Sequence, residues 1–94
     1  MGIVIVITSG GASIDVKSGE ELAIAENSEV TVTFGTAFSI TPKVVCEFSD
    51  NSAELSTLSV HTVSTTGFTI KVNKIGGGGN TNRDVAWIAT DEGN

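Results

Sequence analysis

Glu29-Val30-Thr31-Val32-Thr33-Phe34 alternates apolar and polar residues without a break. Successive side chains of an extended strand point to opposite faces, so Val30, Val32 and Phe34 line one face and Thr31 and Thr33 the other. β-branched residues favour such a half-buried pleated surface. The same period of two recurs toward the C-terminus. Pro42 has no N–H to give to a ladder and marks the start of the next strand, Lys43 to Phe48, which runs into the turn-forming Ser49-Asp50-Asn51-Ser52. Leu58 to Val63 reads as a further strand. Ser64-Thr65-Thr66-Gly67 then turns the chain into Phe68-Thr69-Ile70-Lys71-Val72-Asn73, and the two runs together form a β-hairpin. Gly76 to Gly79, with Asn80-Thr81-Asn82, is a flexible loop ahead of the last strand, Arg83 to Thr90, on which Val85, Trp87 and Ala89 share a face.

Toward the N-terminus the signal is more mixed. Ile3-Val4-Ile5-Val6-Ile7-Thr8 reads as a strand apolar on both faces, ended by Ser9-Gly10-Gly11. Ser13 to Lys17 is a second short strand and Ser18-Gly19 a turn. Glu20 to Ala25 admits a helical turn, because Ser18 and Glu21 make a weak capping box, but Gly19 and Ile24 favour extended chain. About seven short strands with turns between them, and no long helical pattern, predict an all-β fold. The architecture expected is a small antiparallel β-sandwich of about 6–8 strands. Residues 1–94 form one domain, with Val32, Phe34, Val60, Phe68, Ile70 and Trp87 in its core.

A chain of 94 residues with four Phe, one Trp and no Tyr has a small core. A domain of this size buries only about 60–65% of its unfolded surface, so oligomerisation is the obvious way to add buried area. The single cysteine, Cys46, cannot form an internal disulfide. A net charge of −6, with five scattered Lys and Arg, argues against nucleic acid. No stretch reaches the roughly 20 apolar residues of a membrane span, and Ile3 to Ile7 lacks the basic flank of a signal peptide. Met1-Gly2 resembles the start of a myristoylation site, but Val6 stands where Ser or Thr is needed.

No constellation points to catalysis, a cofactor or a metal. His61 is the only histidine and reads as a strand residue facing solvent or a subunit interface. Cys46 has no basic neighbour to favour a thiolate and reads as an inert buried thiol. Asp50-Asn51-Ser52 with Glu54 offers oxygen ligands but lacks the glycine and spacing of an EF-hand loop, so it reads as a solvated turn. The tetraglycine has no Lys-Ser or Lys-Thr after it and is no phosphate cradle. The acidic pairs Glu20-Glu21 and Asp91-Glu92 read as solvated edges. Recognition on a sandwich sits in the loops at one end, which makes Asp50, Asn51, Glu54, His61, Asn80, Asn82 and Arg83 the candidate contacts.

The ordered set Val30-Thr31-Val32-Thr33-Phe34, Phe38 and Pro42 ahead of Val44-Val45, Val63-Ser64-Thr65-Thr66-Gly67-Phe68, and Val85-Ala86-Trp87-Ile88-Ala89 resembles the H-type lectin domain. That domain is the small six-stranded sandwich of snail agglutinins and the discoidin C-terminus. The resemblance covers Glu29 to Thr90, with the strands of 3–25 added before it. It implies a homotrimer with sites for galactose or N-acetylgalactosamine at subunit boundaries. The family's sugar-binding residues do not carry over: its Arg on the strand before the Thr-Gly-Phe turn is absent from Thr57-Leu58-Ser59-Val60-His61, and its aromatic-His pair is replaced by Ile75-Gly76. A shared sandwich supports fold and assembly better than ligand identity. The expected role is that of a non-enzymatic virion module, such as a phage tail, fibre, spike or capsid decoration. Its partners would be itself, other virion proteins or a cell-surface glycan, with neither nucleic acid nor membrane insertion involved. The alternative is a soluble lectin with a different sugar site and no recognisable signal peptide.

Overall fold

A computed structural model describes residues 15–52 and 55–92. They form six strands: β1 (Val16–Ala25), β2 (Ser28–Thr33), β3 (Lys43–Phe48), β4 (Ser56–His61), β5 (Gly67–Lys74) and β6 (Asn82–Thr90). Two three-stranded antiparallel sheets, in the orders β1-β6-β3 and β2-β5-β4, face each other. The expected all-β sandwich is therefore present, and no helix occurs among the described residues that is long and apolar enough to cross a membrane. The Ile3–Thr8 strand, Glu54 and residues 13 and 14 of the second expected strand lie outside the described residues.

β2 follows the alternation read above: Val32 and Phe34 are buried, Val30 is half-buried, and Thr31 and Thr33 are exposed. Its partner β5 places Phe68, Ile70 and Val72 inward. On the opposite sheet, β6 turns Arg83, Val85, Trp87 and Ala89 inward. Four aromatic rings meet between the layers. Phe34 lies 4.9 Å from Phe38, edge to face, and 5.8 Å from Trp87, while Phe68 lies 5.2 Å from Trp87. Such tilted contacts stabilise a small core beyond the area they bury. Phe38 reaches this cluster from the β2–β3 connection, held by its N–H to the Thr65 carbonyl at 2.8 Å. Val60, expected in the core, is half-buried against it, because β4 is an edge strand.

Three readings are corrected. Ser18-Gly19 is no turn but lies within β1, paired with Ile88 and Trp87, so the described part of the second expected strand and Glu20–Ala25 are one strand, Val16–Ala25. Gly19 is required by packing: a Cβ there would lie 2.7 Å from Trp87 Cζ2. The irregularity falls later, where the register shifts between Glu21 and Ile24 and Ala23 takes a φ of 57°. The strand expected over Leu58 to Val63 starts at Ser56 and stops at His61, since Thr62 adopts a φ of 55°, which breaks a strand. Gly67, read as a turn residue, opens β5 against Thr33, and a Cβ there would meet the Val32 carbonyl oxygen at 2.1 Å.

Candidate functional site

At one end of the sandwich the β1–β2 turn, the β3–β4 connection and the β5–β6 loop come together. Arg83 is the inward-facing residue at the start of β6 and is only 4% exposed. A buried guanidinium needs a counter-ion. Asp50 supplies it, accepting from Nε at 2.8 Å and from Nη2 at 2.9 Å, while its Oδ2 also takes the Asp84 N–H at 2.9 Å. The flat guanidinium stacks on Phe48 at 3.8 Å from the ring centroid. Nη1 donates to Ser56 Oγ at 2.8 Å, and that hydroxyl donates onward to Glu26 Oε2 at 2.6 Å. Glu26 is buried in the β1–β2 turn. Its Oε1 accepts the Thr81 N–H at 2.7 Å and lies 3.8 Å from Lys74 Nζ, and Lys74 donates to the Gly79 carbonyl as well.

Two carboxylates and two cations are thus joined through one hydroxyl, and the network ties both sheets to three loops. Hydrogen bonds from Arg83, then from the Asp84 and Ser52 backbone, hold the Asp50 carboxyl at about 2 against the opposing effect of burial. The Ser56 hydroxyl and the Thr81 N–H lower that of Glu26, helped by the charges of Lys74 and Arg83. Both acids are ionised acceptors at neutral pH, saturated by their partners. They provide rigidity rather than proton transfer.

The structure brings together five of the seven candidate contacts. Asp50 and Arg83 form the buried base, which corrects the solvated-turn reading of Asp50. Asn51, Asn80 and Asn82 are exposed above it. His61 lies elsewhere, at the far end of β4 from Ser56, roughly 17 Å along the strand. It is exposed on the outer face of its sheet, with Nε2 3.2 Å from Glu29 Oε1 and Nδ1 2.8 Å from Thr62 Oγ1. Cys46 faces the core half-buried, and burial pushes its thiol up to about 11.

Sequence reasoning missed Glu26, Asn27, Ser56 and Lys74. Asn27 is exposed beside the other amides, with a φ of 63°; its Oδ1 accepts the Lys74 N–H at 3.1 Å and its Nδ2 is 3.5 Å from Asn80 Oδ1. A signal for it existed: Glu26-Asn27 is a two-residue link between alternating runs, and Asn tolerates the left-handed turn that such a link needs. Among the described residues no group of three or more His, Cys, Asp or Glu is placed to hold a metal. A family model described as the H-type lectin domain matches residues 29–90. A search of curated proteins finds no match.

Proposed function

The chain belongs to the H-type lectin domain family, and from that premise we propose that it is a non-catalytic attachment module that takes a glycan at the loop end of the sandwich. The observation that carries this reading is the set of exposed amides at the loop end, Asn27 beside Asn80, Asn51 next to Asp50, and Asn82 on the outward side of β6, around the largely covered Asp50–Arg83–Ser56–Glu26–Lys74 network. Each amide both donates and accepts, which matches sugar hydroxyls that do the same. The base beneath them is already ordered, so little side-chain freedom is lost on binding.

The place the resemblance would favour is differently furnished. β4 offers Ser59 and His61 instead of Arg, and the chain's one Arg is committed to Asp50. Among the described residues the large aromatics lie in the core, or, for Phe48, beneath Arg83, so none is a platform for a sugar face. A polar site without stacking binds one saccharide at about millimolar strength, roughly −4 kcal/mol. Several copies acting together raise that by about 10² to 10⁴. This is why a homotrimer, as the resemblance implies, suits the role, and why an attachment organelle of a virion is the proposed setting.

The test pairs a glycan array on the intact protein with sedimentation. Polysaccharide binding that drops about tenfold in Asn80→Ala/Asn82→Ala but survives Ser59→Ala/His61→Ala would support the loop end. The reverse pattern would place the ligand on β4, and a monodisperse monomer at tens of micromolar would remove the trimer.

A further inference from the structure

The outer face of the β1-β6-β3 sheet carries a second surface, independent of the glycan reading. The strand register orders its side chains into rows. Ser18, Ile88 and Val45 form one; Val16, Thr90 and Lys43 lie to one side, and Glu20, Ala86 and Glu47 to the other. Val45 is 52% exposed although it is β-branched and sits in mid-strand, and Val16, Ala86 and Ile88 are only half-covered. Lys43 and Ser18 are exposed. Asp84 continues the outward face of β6 beyond Ala86, so three carboxylates close one end of the apolar strip. Glu20 accepts from Ser49 Oγ at 2.6 Å and Asp84 accepts the Ala23 N–H at 2.9 Å, contacts that leave both charges in place.

Charge distribution says what could cover this strip. The chain has eleven acidic residues against five Lys and Arg. Three of those five are paired within the chain: Lys17 with Asp15, and over the Phe38 ring, at the surface, Lys74 beside Glu26, and Arg83 on Asp50. Their three partner carboxylates are neutralised with them, so the whole net charge of −6 rests on the other acidic residues, with only Lys43 and Lys71 to set against them. On this face Lys43 stands alone at the end remote from Glu20, Glu47 and Asp84. A second copy, even turned end for end, offers only Lys43 to the three carboxylates and leaves most of their charge unmatched. A basic partner gains on both counts, burying apolar area and matching charge.

We propose that this face docks a protein segment in which Val- or Ile-type residues alternate with Lys or Arg. The apolar side chains lie along Val45, Ile88 and Val16, and the basic ones reach Glu20, Glu47 and Asp84. Opposed charges of this kind act over about 10 Å at 0.1 M salt, so the association weakens as salt rises.

The full chain, labelled with 15N, is titrated with the peptide Lys-Val-Lys-Val-Lys-Val-Lys. Expected are amide shifts confined to 16–20, 43–47 and 84–90, an affinity that falls about threefold or more between 0.05 and 0.3 M salt, and a similar loss in Glu20→Gln/Glu47→Gln. Val45→Lys, at an exposed position and checked for folding by circular dichroism, removes the apolar contact and adds like charge, and should reduce binding about tenfold. Four results would each overturn the proposal. The acidic Glu-Val analogue or a Lys-Ser analogue binds equally well. Shifts spread over both sheets. Val45→Lys dissociates an existing oligomer, making the face a contact between copies. Removal of residues 1–14 creates binding that the full chain lacks, making that segment the occupant.

Discussion

Replacing Gly19 by alanine tests the packing that turns an apparent turn into the middle of β1. The added methyl would sit 2.7 Å from Trp87 Cζ2, 2.9 Å from Cε2 and 3.0 Å from Nε1. The indole cannot simply retreat, because Phe34 and Phe68 hold its other side at centroid distances of 5.8 and 5.2 Å. Forcing a methyl into a packed core costs about 1–3 kcal/mol, and the reduced freedom of the unfolded chain returns about 0.4–1. A net loss of about 1–2 kcal/mol is expected, which at a urea slope of about 1 kcal/mol per molar moves the midpoint down by about 1–2 M. Trp87 is the only tryptophan, so its fluorescence reports the transition directly, at one fixed protein concentration. The companion background is Trp87→Phe, followed by far-ultraviolet circular dichroism, in which the smaller ring leaves room for the methyl. Its own cost is moderated because Trp87 Nε1, buried without an acceptor among the described residues, disappears with the indole. In that background Gly19→Ala should cost about 1 kcal/mol less than in the parent, a coupling that only neighbouring residues show. An unchanged or raised midpoint for Gly19→Ala alone would refute the close packing of β1 on Trp87.

Phe68→Ala and Trp87→Ala should each cost about 3–5 kcal/mol in urea unfolding, since both rings lie at the centre of the aromatic cluster. Asp50→Asn should cost about 2–3 kcal/mol in the same assay by leaving the buried Arg83 without its counter-ion. Stability should also fall in acid: Asp50 and Glu26 are depressed in the folded chain, so their contribution is complete above the ordinary carboxylate range and is lost as pH falls through it toward about 2. Midpoints that stay level from pH 5 to pH 2.5 would speak against the network. With its thiol raised to about 11, native Cys46 should react with iodoacetamide at pH 8 about 100-fold more slowly than in urea-unfolded chain, as judged by mass spectrometry.

Strands with regular alternation were legible in the sequence, because burial of one face imposes a period of two on the residues themselves. β2, β3, β5 and β6 follow their expected spans closely, and Pro42 marks the start of β3 for the reason its missing N–H suggests. The failures have local causes. Glycine signals a turn by its backbone freedom, but at position 19 it is needed for its lack of a side chain, and the ring it accommodates lies far along the chain on β6. The early end of β4 rests on the φ of Thr62, a residue type that rarely takes such a conformation.

The candidate site was less legible, and the reason is physical. Glu26, Ser56 and Lys74 have no periodicity to betray them, and each alone looks like a solvated polar residue. Glu26 is buried, and Ser56 and Lys74 are partly covered, because the ends of strands from both sheets converge, and burial then obliges each charge to find a partner. Arg83 did carry a trace of this: it occupies an inward position in the alternation of Val85, Trp87 and Ala89, so a charged group there must be paired inside the sandwich. The consequence for function is that the most strongly polar residues of the loop end are spent on architecture. Under the proposed function a ligand is left the neutral amides Asn27, Asn51, Asn80 and Asn82, whose paired donors and acceptors suit hydroxyls rather than charges. The outer face of the β1-β6-β3 sheet keeps carboxylate charge unpaired among the described residues, with Glu20, Glu47 and Asp84 bordering an apolar strip. The two proposals together place two kinds of recognition on two surfaces of one small domain.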